Sequence, residues 1–259
     1  MALSDIQKKD IENVLKTSLR KKFTNHNPEP AYMPFHTRLL GKDRLALYSF
    51  IHSLNTNFGT TIFEPVAVAL SKKSFKSGSS QTIAGEYISE GALFVIQEIM
   101  DKLAIAESMP DKENEIKRIR AVCKEGRPRK IKPTKIDLEL ETESGEFFLI
   151  DLKTAKPNAG GFKGFKRTLL EWVGVKLFQN PEVEINTLIA IPYNPYEPQP
   201  YNRWTIRGML DLDKELKVGK EFWDFLGGEN AYEDLLDCFE KVGLELKEEI
   251  DIYFANFSK

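Results

Sequence analysis

The sequence predicts an α/β protein: a mixed β-sheet flanked by helices on both sides, in a single domain over residues 1–259. Three observations carry this expectation. Residues 135–153 read as strand, tight turn and strand. The segments around them repeat apolar residues at helical spacing. The order along the chain is helices, hairpin, helix, two strands and helices, which suits a sheet covered on both faces.

Residues 4–22 place Ile6, Ile11, Val14, Leu15 and Leu19 on one helical face, with Ser4 or Asp5 as cap. Residues 24–34, with Pro28, Pro30 and Pro34, form a loop. A second helix is expected over 37–54, on the stripe Leu39, Leu40, Leu47, Phe50, Ile51 and Leu54. Residues 63–70 are short, apolar and ambiguous between strand and helix. Residues 72–80, with Lys72, Lys73 and Lys76, read as a basic surface loop. The strongest helical pattern covers 82–106 and carries Glu86 and Glu90 four residues apart. An N-terminal helical part, 1–80, thus precedes a core at about 82–210.

Residues 117–135 hold nine Lys and Arg and one acid, Glu125. Prolines keep the second half of this strip out of a helix. It runs into the hairpin. Ile136, Leu138 and Leu140 alternate with Asp137, Glu139 and Glu141, the period of a half-buried strand. Residues 147–152 form a nearly continuous apolar run, as in a strand buried on both faces. Glu143-Ser144-Gly145 makes a three-residue loop, with Gly145 in the left-handed position. Centring the turn on Ser144 sets Glu141 opposite Phe147, Glu139 opposite Leu149 and Asp137 opposite Asp151. Opposed residues share a face, about 5 Å apart at Cβ. Two carboxylates there repel unless a positive charge joins them, and hard divalent cations take carboxylate oxygens. Lys153 falls on the same face as Asp151. An ordinary surface hairpin closed by an ion pair fits this stretch as well. The acid-x-Lys spacing recurs at Glu115–Lys117, Glu215–Lys217 and Glu245–Lys247, in polar helix-like segments that read as solvated faces.

Residues 154–167 contain no acid and are rich in glycine and lysine. A helix follows over 165–178, then a strand over 184–192, a proline-rich loop, a strand over 201–210, and helices over 220–226 and 230–249. The chain is 41% hydrophobic and 29% charged, enough for a core of normal size. No apolar run reaches the roughly 18 residues of a membrane-spanning helix. The N-terminus has no apolar signal core, and Cys123 and Cys238 lie far apart, which fits a reducing cytoplasm. The net charge of −2 hides an asymmetry. Residues 117–167 carry 14 Lys and Arg against 7 Asp and Glu; residues 209–251 carry 5 against 14. The positive field therefore surrounds the hairpin, where a polyanion would be drawn.

Asp137 with Asp151-Leu152-Lys153 resembles the active site of the PD-(D/E)XK nuclease superfamily. Residues 151–172 (Asp-Leu-Lys-Thr-Ala-Lys-Pro-Asn … Phe-Lys-Arg … Leu-Leu-Glu-Trp) and 218–226 (Val-Gly-Lys-Glu-Phe-Trp-Asp-Phe-Leu) look like type II restriction endonucleases of the group recognising GGNCC-like sites. Ile136 stands where the pattern has proline, and the second acid is Asp rather than the commoner Glu.

The resemblance implies a restriction-endonuclease-like fold and Mg2+-dependent cleavage of double-stranded DNA. Asp137, Asp151 and the Leu152 carbonyl would hold Mg2+, Lys153 would serve the attacking water, and Glu86 would match the helix acid of many such nucleases. Lys156, Asn158, Lys163, Lys166 and Arg167 would contact DNA. It also implies a homodimer on a palindromic site, a cognate DNA methyltransferase in the same system, and a bacterial or archaeal cytoplasm. The dimer would use helices 4–22 and 37–54, or the aromatic segment 222–225. A nuclease of DNA repair or recombination shares the same site, and a non-catalytic DNA-binding protein shares the basic strip.

Overall fold

A computed structural model describes residues 3–25, 33–153, 161–201 and 208–255. A five-stranded sheet organises it, in the order β1 (Ser77–Ile83), β4 (Lys135–Glu141), β5 (Phe147–Leu152), β6 (Ile185–Ile191) and β7 (Leu216–Val218). β1, β4 and β5 are antiparallel neighbours, while β5, β6 and β7 run parallel. A small ribbon pairs β2 (Tyr87–Ser89) with β3 (Pro128–Lys130).

Helices cover both faces, as the sequence predicts. On one lie α5 (Glu90–Ala104), α6 (Lys112–Ala121) and α7 (Gly161–Gln179), packed on Leu149, Ile189 and Ile191. α7 is the crossover between the parallel strands β5 and β6. On the other lie α1 (Asp5–Asn25), α4 (Glu64–Ser71), α8 (Lys220–Gly227) and α9 (Ala231–Glu245), packed on Leu138, Leu140, Ile150 and Leu188. α2 (Pro34–Leu40) and α3 (Lys42–Phe58) precede α4, and α10 (Lys247–Ala255) ends the described chain. No helix among the described residues is long and apolar enough to cross a membrane.

The hairpin forms in the expected register: Glu141 pairs with Phe147, Glu139 with Leu149 and Leu138 with Ile150. Gly145 adopts φ +83°, and its N–H donates to the Thr142 carbonyl at 3.0 Å. A Cβ there would be strained, so the loop is fixed by the one residue that tolerates this backbone. The register follows from that loop.

Several elements differ from the sequence expectation. Residues 37–54 are not one helix: Gly41, at φ +87°, separates α2 from α3. Residues 72–76 are irregular as expected, but 77–80 of the expected loop belong to β1, an edge strand whose polar Ser, Gly, Gln and Thr hide it. The helix expected from 82 starts only at Glu90, where the Ser89 hydroxyl accepts from the Ala92 N–H. Glu86 is therefore not a helix residue. α6, which the sequence does not predict, starts at Lys112 and is capped by Asp111. The strand expected at 201–210 lies mostly outside the described residues, and a strand the sequence does not predict, β7, forms at Leu216–Val218. Residues 63–70 resolve into helix, with Pro65 in the first turn of α4.

The largest correction concerns Lys166. It is fully buried, and its ammonium reaches Glu115 at 2.5 Å and Glu215 at 2.6 Å. Lys112, also buried, reaches Glu215 at 2.8 Å and the Thr187 hydroxyl at 2.6 Å. Lys166 is thus a core ion and not a DNA contact. The quartet ties α6, α7 and the turn before β7 to β6. Glu115 and Glu215 are likewise interior acids, not solvated ones, whereas Glu245 is exposed as expected. Burial pushes Lys112 down and Glu115 up. Burial also pushes Glu215 up, but the two lysines outweigh it and hold that carboxyl below its usual range.

Replacing Lys166 with Met leaves two buried carboxylates short of a partner. Urea denaturation should show a loss of about 3–5 kcal/mol, the usual effect of breaking a buried ion pair from one side. A loss below about 1 kcal/mol, the value of an exposed pair, would show that the quartet is not desolvated in solution.

Candidate active site

The site lies where β4, β5 and β1 meet the N-terminal end of α4. The ladder between β4 and β5 ends at the Leu138–Ile150 pair, and one residue beyond it the Asp137 carboxylate adjoins that of Asp151. The Asp137 Oδ2 accepts the Leu152 main-chain N–H at 2.8 Å, which fixes the carboxylate across the ladder. Asp151 is only 6% exposed. Its Oδ1 meets the Lys153 ammonium at 2.5 Å, and that ammonium lies 4.7 Å from the centre of the Phe165 ring on α7. Asp137, Asp151 and Lys153 therefore come together as the sequence predicts.

Burial pushes the Asp151 carboxyl up to about 7; the Lys153 ammonium opposes this, and the Asp137 carboxylate beside it reinforces it. A buried acid pair with one lysine is short of positive charge. Its donors are hard oxygens, which suit a divalent cation that keeps several of its own waters. Asp137, Asp151 and the Leu152 carbonyl are the groups that would hold it. Among the described residues no three His, Cys, Asp or Glu side chains converge as a closed metal cage.

Glu64, at the start of α4, is the acid that sequence reasoning missed. It is 2% exposed, and both its oxygens accept from the Gln81 side-chain amide, at 3.0 and 2.9 Å. The same Nε2 lies 3.4 Å from Asp137 Oδ1. Burial raises the Glu64 carboxyl; Gln81 opposes, and Asp137 adds to the rise. The available signal was Glu64-Pro65 heading an apolar run, a helix start with an acid in its first turn. Glu86, the residue expected in this place, instead pairs with Lys130 at 3.1 Å on the β2–β3 side. No contact among the described residues links it to Asp137 or Asp151.

The expected DNA-contacting residues separate. Lys156 and Asn158 lie outside the described residues. Lys163 is exposed on the first turn of α7. Arg167 is half-buried, bonded to Gln97 and 3.7 Å from Glu171. Within the basic strip, Arg118 pairs with Glu98 at 2.7 Å, Arg129 with Glu90, and Arg120 bonds the Val183 carbonyl at 2.9 Å. Lys132 and Lys135, which lead into β4, are exposed.

The sequence matches the family described as "Type II restriction endonuclease, HinfI" over residues 3–243. It is 28% identical over 220 residues to the type II restriction enzyme MjaII of Methanocaldococcus jannaschii, a match covering 80% of this chain and 58% of that enzyme. It is 25% identical over 230 residues to the type II restriction enzyme HgiEI of Herpetosiphon aurantiacus, covering 84% of this chain and 79% of the other. HgiCII, a type II restriction enzyme of the same organism, is 23% identical over 236 residues, or 84% of this chain and 80% of its own length.

Asp151 makes stability pH-dependent in an unusual direction. Its folded pKa lies above the unfolded value near 3.8, so the native state holds the proton more tightly. Stability contributed by the neutral acid is full below 3.8 and falls as pH rises toward about 7. In EDTA, Asp151→Asn should therefore gain on the wild type between pH 4 and pH 8. A rise of three units corresponds to roughly 2–4 kcal/mol after allowance for coupling. Urea titrations at both pH values test this, and a constant difference would place Asp151 in a solvated setting.

Proposed function

The chain belongs to the HinfI family of type II restriction endonucleases, and on that basis we propose that it hydrolyses phosphodiester bonds of double-stranded DNA at a specific short sequence. The observation that carries the reading is the Asp137–Asp151 pair joined to Lys153 at 2.5 Å, the arrangement of a PD-(D/E)XK site. Mg2+ is the cation proposed for Asp137, Asp151 and the Leu152 carbonyl, where it would supply Lewis acidity toward the scissile phosphate. Lys153, held between Asp151 and the Phe165 ring, orients the attacking water and offsets charge developing on the phosphate. Glu64 takes the role the sequence reading gave to Glu86, a third carboxylate at the edge of the site. Lys132, Lys135 and Lys163 are exposed bases available to the DNA backbone.

The target proposed is a GGNCC-like palindrome, cut by a homodimer, because one site cuts one strand and two-fold symmetry supplies the second. The aromatic segment is not the dimer surface: Phe222 and Trp223 are core residues at 0% and 1% exposure. Phe35 and Leu39 on α2 are 84% and 82% exposed and favour the N-terminal helices. A cognate methyltransferase would protect the same sequence.

Digestion of a mapped plasmid with and without Mg2+ tests the activity and reads the site. Asp137→Asn should abolish cutting yet retain DNA binding in a gel-shift assay. Lys153→Ala should lose about 10²–10⁴-fold in cleavage rate, the range for a positioned proton-transfer group. Near-normal cutting by Asp137→Asn would remove the assignment. Light scattering of the DNA complex in Ca2+ should give two chains per duplex.

A further inference from the structure

Gln81 sits at an unusual place. β1 pairs Ser80 with Leu138 and Thr82 with Ile136, so Gln81 is the residue across from Asp137. Its φ is +57°, a left-handed backbone inside a strand. Ala106 and Asn230 share that sign, but both lie beside helix ends, where such a backbone is ordinary. A non-glycine residue held so within an edge strand is uncommon, and such strain persists where the surroundings impose it. Here the surroundings are two acids. One amide nitrogen carries two hydrogens, and Gln81 Nε2 faces both oxygens of Glu64 and the Oδ1 of Asp137. The other Asp137 oxygen is taken by the Leu152 N–H.

We propose that Gln81 is a positioning residue that sets how tightly the site takes its divalent cation, by holding Glu64 and Asp137 together through its amide. The inference rests on the reading of Asp137 as a cation ligand. Without a cation, the buried Glu64 and half-buried Asp137 carboxylates repel, and the neutral donor between them offsets part of that repulsion. A cation needs the same oxygen lone pairs. The amide therefore competes with it, and uptake includes withdrawal of Gln81 from Asp137.

Mn2+ titrated into the full chain without DNA, with free ion counted by electron paramagnetic resonance, reads this directly. Gln81→Ala should bind Mn2+ about ten-fold more tightly, the size of one hydrogen bond to a charged group. Gln81→Gly keeps the left-handed backbone without strain, and should show the same gain even if the alanine variant folds poorly. Because both oxygens of Glu64 hold the amide in place at Asp137, the gain should shrink below about two-fold when Gln81→Ala is made in a Glu64→Gln background. Unchanged or weaker binding by folded Gln81→Gly would overturn the proposal while leaving the cation site standing. An equal gain in both backgrounds would overturn it as well. A wild-type chain that takes up no Mn2+, with Asp137→Asn indistinguishable from it, would overturn the cation reading itself.

Discussion

Two carboxylates held across one ladder, at the buried end of a hairpin, set the terms for the surrounding structure. Asp137 and Asp151 repel, and the sheet offers no way to separate them, because a one-residue slip would turn Leu138 and Ile150 out of the core. The Gly145 turn removes the remaining freedom. The neighbours of the pair can be read as responses to it. The Leu152 N–H takes one oxygen of Asp137, Lys153 takes one of Asp151, and Gln81 supplies a neutral donor on the third side.

Holding that arrangement requires the elements behind it to be rigid. Lys153 is fixed partly by Phe165, one residue before the buried Lys166 on α7. The quartet of Lys112, Lys166, Glu115 and Glu215 thus locks the turn of helix on which Lys153 leans. Buried ion pairs are weak contributors to net stability, yet they punish misregister severely. α7, anchored by Lys166 in a carboxylate pocket shared with Lys112 of α6, has one rotation that satisfies all four charges.

The hairpin was legible because its information is local. Turn chemistry, period-two alternation and a short acid-x-Lys motif all lie within residues 135–153. Most of the covering helices were legible from apolar spacing in the same way, whereas α4 read as ambiguous and α6 was not expected. The remainder was not, for two physical reasons. Glu64 meets Asp137 from 73 positions away, through a glutamine on an edge strand too polar to read as one. Lys166 looks like a phosphate contact because Gly-Phe-Lys-Gly-Phe-Lys-Arg is basic and glycine-rich; its partners Glu115 and Glu215 lie 51 and 49 positions away. Composition records a charge but not the counter-charge that folding brings to it.

The same distinction changes the meaning of the charge asymmetry. Much of the acidic C-terminal third is neutralised by α1: Lys8 meets Asp234 at 2.6 Å, Arg20 meets Glu249 at 2.7 Å, and Lys16 pairs with Glu245. Much of the basic strip is neutralised by α5 and its approach, through Glu86, Glu90 and Glu98. The block counts therefore overstate both fields. Among the described residues, Lys132 and Lys135 entering β4 and Lys163 on α7 stay exposed. A field from a few exposed lysines attracts a phosphate chain and is weakened by salt. Asp151, desolvated and already raised, lies too deep for that screening to reach it equally. Attraction of the polyanion and charging of the acid pair are thus separable, the first governed by ionic strength and the second by pH and cation.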